Sequence, residues 1–456
     1  MDRTELIKSI DQAVESLSDK LTEVAVILFG IPTQNPPGYN YRRYTDAVAA
    51  IMEEIGMEVE RIEVPEERLP ELAPQGVVEK GQEPSGIGAG GGEAAVALKE
   101  VDREMIVYPR INILGYLGDT KARPNVHFTG HYDVVPEGNP ADWTYDPYGC
   151  DIVDGNIYAR GSCDQKSGVV SELMAAYALQ KAGIKLKGTL ICSTTPDEES
   201  GGQAGVGYLV EQGVVTKDTT DYVIITECLD YDKICIGHRG TLWFDVHVKG
   251  KQCHGSQPKE GVSPIRFMNE LLNAIQEDIE PLIQEPTPLP VMPPSSRWTT
   301  ITPTVIRSGE KVNTVASDGV ISFDWRLNPE LTIAWAKEKI TAACEKAKAA
   351  VPGIDYEIVY HGSDNPTLVE EEQKVVDVLK EGCRQYVGRE AEMCLSPGMD
   401  DQKYIVQKGG LQSCVVYGPG RLTLAHKSDE FANIEEMKTS AKIMALAACD
   451  LLGVEE

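Results

Sequence analysis

Five segments of the chain place metal-ligand residue types just beyond apolar runs. NVHFTGHYDVVP carries His131 and Asp133, and ARGSCDQKSG carries Asp164. TTPDEESGG carries Asp197, Glu198 and Glu199; VIITECLD carries Glu227; YGPGRLTLAHKSDE carries His426. Imidazole is the commonest metal ligand, and its second nitrogen is often held by a carboxylate, a part Asp133 can play for His131. One His or Asp after a strand is usually a cap, a turn residue or a solvated group. Five such segments on successive strand ends, where open α/β sheets collect functional groups, point to chemistry instead. Two histidines, one shared aspartate and two glutamates can hold two divalent ions, each with one His, one Glu and the bridging Asp. Such N/O donors suit zinc, with cobalt or manganese as substitutes. That allocation leaves Glu198 beside a ligand and free to serve as general base on a water activated by the ions.

The remaining histidines carry less signal. His127 lies inside an apolar strand and reads as structural, as do His238, His247 and His361. His254, in GKQCHGSQPKEG, stands on a Gly/Pro-rich turn.

The elements that must position these residues follow from periodicity. Leu6, Ile10, Val14 and Leu17, then Val48, Ile51, Met52 and Ile55, recur at helical spacing. A Pro/Gly-rich stretch over 64–105 reads as a long surface loop or insertion. It holds a GxGxxG match from Gly86 to Gly91, but VVEKGQEPS precedes it instead of an apolar strand, so it is not read as a dinucleotide site. From 106 short apolar runs alternate with helical stretches, the pattern of an α/β domain with a largely parallel sheet flanked by helices. From 240 the pattern becomes βαββαβ in about 115 residues, opening with Leu242, Phe244, Val246 and Val248 on one face. That is a ferredoxin-like α+β unit inserted in the larger domain. The expected division is 1–238 and 355–456 for the catalytic domain and 239–354 for the inserted one, and 456 residues exceed what one core of about 250–300 residues holds.

Composition excludes several classes. The net charge is −28 with no Lys/Arg cluster, which excludes nucleic acid and disfavours anionic membranes. No apolar run approaches the ~20 residues of a membrane span. The charged, amphipathic N-terminus has no signal-peptide core. Eleven scattered cysteines without a CxxC pair fit reduced thiols and a cytoplasmic location.

On the motifs GHYDVVP, ARGSCDQKSG, PDEESGG, the strand ending at Glu227 and GPGRLTLAHKSDE, the chain resembles the M20 family of metallo-hydrolases from about residue 20 to 452. The family includes acetylornithine deacetylase, succinyl-diaminopimelate desuccinylase, aminoacylase-1 and several dipeptidases. The resemblance implies that Asp164 bridges, that His131 and Glu227 complete one site, and that Glu199 and His426 complete the other. It implies that Asp133 supports His131, that Glu198 is the base, and that the Asp164-Gln165 peptide is cis. It makes the inserted unit a lid and homodimer contact. It also places His254 at the developing oxyanion and Asn313, Arg326 and Gly398 against the substrate. Where relatives carry a Gly-Thr-Asp type segment this chain has Gly398-Met399-Asp400-Asp401, whose extra carboxylate would repel a succinyl group.

The expected function is therefore amide hydrolysis in a small N-acylated amino acid. A dipeptidase or carboxypeptidase is the alternative within the family. A metal-dependent binding protein is the alternative outside it, and such a protein would have no need of Glu198.

Overall fold

The computed structural model describes residues 1–79 and 105–455. Two compact units emerge. One comprises Met1–Ile236, Val369–Met393 and Asp400–Glu456; the other comprises Gly237–Leu368 and Cys394–Met399.

The first unit is built on a mixed sheet. Its strands run in the order Glu58–Glu63, Ile111–Leu117, Thr189–Thr195, Asn125–His131, Tyr222–Ile225, Cys414–Val416 and Lys233–His238. The four strands Thr189–Thr195, Asn125–His131, Tyr222–Ile225 and Cys414–Val416 are mutually parallel. Asn125–His131 and Thr189–Thr195 are buried at every position, as strands covered on both faces must be. The helix Ser167–Lys181 is buried around most of its circumference because it lies between these two strands and the helix Ile434–Leu452. Ile434–Leu452 begins where the Asn433 side chain accepts the N–H groups of Glu435 and Glu436.

The second unit is a four-stranded antiparallel sheet in the order Thr300–Ser308, Asp318–Leu327, Gly240–Lys249 and Asp355–Asp364. Alternation places Leu242, Phe244, Val246 and Val248 in a core with Phe323, Trp325 and Leu327. Phe267 and Leu271 of the helix Pro264–Asp278, with Ile340 and Cys344 of Ile333–Ala350, complete that core. This is the α+β, ferredoxin-like order expected from the pattern.

The stretch 64–105 is more structured than a plain loop where it is described. It holds the short helix Leu69–Leu72, the turn Pro74–Gly76 and a ribbon pairing Val77–Glu79 with Met105–Val107. The Gly86–Gly91 match lies outside the described residues. All eleven cysteines are free.

Candidate metal centre

Because four strands run parallel, their carboxyl ends lie along one edge, and the loops leaving that edge carry the candidate residues. His131 ends the strand Asn125–His131; Glu198 and Glu199 open the turn after Thr189–Thr195; Glu227 follows Tyr222–Ile225. His426 lies in the loop after Cys414–Val416, at a left-handed φ of 60°. Asp164 stands in the turn Ser162–Lys166, ahead of the buried helix, and its peptide bond to Gln165 is cis, as expected.

These side chains converge. His131 Nε2 lies 3.2 Å from Asp164 Oδ1 and 3.3 Å from Glu227 Oε1. His426 Nε2 lies 3.4 Å from Asp164 Oδ2 and 3.0 Å from Glu199 Oε2. Bonds of about 2.0–2.1 Å to a tetrahedral ion set neighbouring donors about 3.3 Å apart, and these four histidine–carboxylate distances are close to that spacing. The two oxygens of Asp164 face different histidines, the arrangement of a bridging carboxylate. His131, Asp164 and Glu199 form one group able to hold an ion; Asp164, Glu227 and Cys228 form another.

The electrostatics agree with a cationic occupant. Burial drives the carboxyls of Glu198 and Glu227 well above the usual range, and neighbouring carboxylates add to the effect. Glu199 is raised by burial and then by Asp164. Asp164 is also buried, but hydrogen bonds to His131 and His426 overcome that and hold it below the ordinary carboxylate value. Those contacts with Asp164 and Glu199 raise His426 to about 11. Burial lowers the basicity of His131, yet Glu227, Asp133 and Asp164 outweigh it. Divalent cations would offset this crowding of negative charge.

Asp133 is fully buried beside His131, whose Nδ1 lies 2.9 Å from the Asp133 carbonyl and 3.3 Å from its carboxylate. The same carboxylate accepts the backbone N–H groups of Glu198 and Glu199 at 3.0 and 3.1 Å. It thus joins the histidine to the acidic turn.

The second unit holds the other expected residues. His254 is exposed, with Nδ1 2.7 Å from Ser256 Oγ, and its strand Cys253–His254 pairs with Thr314–Val315. The Asn313 carbonyl accepts the Gly255 N–H at 2.8 Å. Gly398 N–H donates to Ser396 Oγ at 3.3 Å. The guanidinium of Arg326 is engaged by both oxygens of Asp324 at 2.8 and 3.1 Å, by Thr241 Oγ1 at 3.0 Å and by the Trp243 ring.

Glu430, Cys228 and Arg110 escaped the sequence reading, and Asp197 figures there only as a metal-ligand residue type. Glu430 is buried, pairs with Arg160, and accepts the N–H groups of Cys163 and Asp164 at 2.9 and 3.0 Å, fixing the backbone at Asp164. Its signal was a carboxylate ending the motif that holds His426. Cys228 offers a sulfur beside Glu227. Asp197 and Arg110 form a fully buried ion pair at 2.6 Å; a lone charge opening the apolar run INILGYLG was the available signal.

Residues 127–450 match the model of "Peptidase family M20/M25/M40". An uncharacterized metallohydrolase of Methanocaldococcus jannaschii is 30% identical over 336 residues, covering 70% of this chain and 79% of that protein. A succinyl-diaminopimelate desuccinylase of Nitrosomonas eutropha is 28% identical, covering 72% and 84%. Among solved structures, human carnosine dipeptidase 1 superposes with a TM-score of 0.70 at 18% identity, covering 98% and 99%. A dinuclear metal-binding M20 peptidase of Bacillus subtilis superposes with a TM-score of 0.64 at 15% identity, covering 97% and 100%. The chain belongs to peptidase family M20/M25/M40 and is a metal-dependent hydrolase of peptide or related amide bonds.

Proposed function

We propose that this hydrolase releases the acyl group of an N-acylated amino acid, using two divalent ions, zinc first and cobalt or manganese as substitutes. The observation that carries the dinuclear reading is Asp164, whose two oxygens face His131 and His426. His131, Glu227 and Asp164 would hold one ion, and Glu199, His426 and Asp164 the other. When bound, such ions acidify a water and polarise the amide carbonyl. Glu198 takes the proton from the attacking water and returns it to the leaving nitrogen. A carboxyl with raised proton affinity suits that shuttle, and burial supplies the rise. Asp133 holds His131 and the turn bearing Glu198 in register. In the roles the family resemblance implies, His254 would donate to the developing oxyanion, and Asn313 and Gly398 would offer polar groups to the substrate. Since Arg326 already has Asp324 as a partner, it would meet a substrate carboxylate as a member of that pair.

A dipeptide is the second reading. Asp400 and Asp401 are buried in the first unit, and both reinforce the negative field at Glu227. That field favours a free ammonium over a succinyl carboxylate. The acidic chain, without a spanning helix among its described residues, fits a cytoplasmic enzyme. The open edge strand Thr300–Ser308, with Ile306 exposed, supports a homodimer through the second unit.

The test is a hydrolysis screen of metal-loaded protein on N-acetyl, N-formyl and N-succinyl amino acids and on dipeptides, with Glu198→Ala as control. Metal-dependent release of amino acid from acylated substrates, absent in the control, is the expected result. Turnover of dipeptides alone would transfer the assignment to the second reading. No turnover with two ions bound would sink both.

A further inference from the structure

The turn that carries Glu198 and Glu199 is gripped from behind by the stem of the 74–110 stretch. Asp197, immediately before the two glutamates, adopts a left-handed φ of 68°, a region uncommon for non-glycine residues in which aspartate is among the most frequent. Its carboxylate is surrounded by donors. Arg110 Nε donates to Oδ2 at 2.6 Å, Gln75 Nε2 donates to the same oxygen at 3.0 Å, and the Tyr41 hydroxyl donates to Oδ1 at 2.9 Å. Gln75 also donates to Ser200 Oγ at 2.7 Å, so it spans the turn from one side to the other.

The Arg110 guanidinium is held in a built cradle. Its side chain is 0% exposed and that of Asp197 2%. Its Nη1 donates to the Tyr108 carbonyl at 2.8 Å, and the group lies 5.0 Å from the centre of the Tyr41 ring. A Cβ at Gly38 or Gly76 would come within 2.5 or 2.4 Å of Nη1, so both positions need glycine for the guanidinium to fit. Gly76 in turn accepts the Tyr108 N–H at 2.9 Å, which closes the base of the ribbon Val77–Glu79/Met105–Val107. Arg110 acts on the turn through Asp197, Gln75 through both Asp197 and Ser200. Asn35 Nδ2 ties the same two residues to Asp133, donating to Asp197 Oδ1 at 3.2 Å, Ser200 Oγ at 2.7 Å and Asp133 Oδ2 at 2.9 Å.

We propose that Arg110 and Gln75 are positioning residues that, through Asp197 and for Gln75 also through Ser200, set where Glu198 and Glu199 stand. The stem of the inserted stretch thereby controls both the proton-carrying carboxylate and one metal ligand. The inference rests on the roles assigned above to Glu198 and Glu199.

The test compares Gln75→Ala, Arg110→Lys and Arg110→Met with wild type. The readouts are zinc titration, thermal unfolding, and kcat and KM on the best substrate of the screen. Displacing a group by about 1 Å lowers rates about 100-fold, and losing an outer partner weakens a metal about 10- to 100-fold. Arg110→Met is therefore expected to lower kcat about 100-fold with KM within about twofold, and to weaken one of two zinc sites about 10-fold or more. Gln75→Ala, which leaves the ion pair intact, is expected to lower kcat about 10-fold with the same split. Arg110→Lys cannot present the planar fork and should restore neither quantity. If Arg110→Met does not fold, Gln75→Ala and Arg110→Lys decide. A lower melting temperature with wild-type kcat and zinc affinity in Gln75→Ala and Arg110→Lys would overturn the proposal and leave the cluster a purely structural clamp. Failure of the hydrolase reading is separately visible as a wild type that binds two zinc ions and turns nothing over; the zinc titrations of the variants would then decide the positioning role alone.

Discussion

Asp164 Oδ2 lies 3.4 Å from His426 Nε2, while the other oxygen of the same carboxylate lies 3.2 Å from His131 Nε2. One side chain is thus common to both donor sets. Asp164→Asn, which keeps the shape and removes the charge, should weaken both sites together. Elemental analysis after dialysis should find fewer than two ions per chain, with a fall in kcat/KM of about 10³. Loss of one ion only, with the other held as in wild type, would show that Asp164 does not bridge.

Glu198 should separate binding from chemistry. Glu198→Gln is expected to retain both ions and to lower kcat by about 10²–10⁴, the range for removal of a general acid–base group. Isothermal titration with zinc and steady-state kinetics on the same preparation measure the two effects. Lost metal would mark Glu198 as a ligand instead.

Removing the ions should expose the charge they offset. Ions that bind only the folded chain stabilise it by about 2.7 kcal/mol at a free concentration 100 times Kd. Chelated protein should therefore melt at a lower temperature and recover with added zinc, cobalt or manganese. A melting curve indifferent to chelator would contradict ligation by these buried carboxylates.

Glu430 neutralises buried Arg160 and fixes the backbone at Asp164. Glu430→Ala strands the arginine in the interior, a loss of about 3–5 kcal/mol. Chemical denaturation of the metal-free form should register it directly. A change below about 1 kcal/mol would show that solvent reaches Arg160 once the partner is gone.

His127 is buried in its strand with Nε2 2.7 Å from Ser193 Oγ, and burial lowers it from 6.5 to about 3. The folded imidazole refuses a proton that the unfolded one accepts. Stability from this group is full above about pH 6.5 and falls as pH drops through the window towards 3. His127→Gln should flatten that part of the melting-temperature profile. An unchanged slope would assign the acid sensitivity to other groups.

Much of the site was legible because its residues follow strands that periodicity locates well. His131, Asp164, Glu199, Glu227 and His426 each stand next to an apolar run or a Gly/Pro turn, and their types name their chemistry. The α+β unit was legible because Leu242, Phe244, Val246 and Val248 alternate without interruption. The groups that hold the site in place were not. Arg110 and Asp197 are 87 positions apart, and Arg160 and Glu430 are 270 apart. Arg110, Arg160 and Glu430 look locally like solvated surface charges, and Asp197 like one more metal-ligand type in its motif. Only the folded chain shows that burial forces them into pairs. At Arg326 the residue type was legible without its engagement: Asp324, two residues away on the same strand face, occupies its fork.

The strand Cys414–Val416 lies between Tyr222–Ile225 and Lys233–His238, two segments made far earlier in the chain. Until it arrives, the sheet has an open slot with unpaired backbone on both sides. His426 follows it, so the second donor set cannot assemble before the slot is filled. A ribosome releasing this chain from its N-terminus therefore leaves the slot open from the making of Lys233–His238 until Cys414–Val416 emerges. Closing it requires pairing across some two hundred intervening residues, the kind of non-local step that slows folding and leaves strand edges open to aggregation. Assembly of the donor set that contains His426 is for this reason tied to completion of the sheet, while His131, Asp164 and Glu227 all belong to segments made before it.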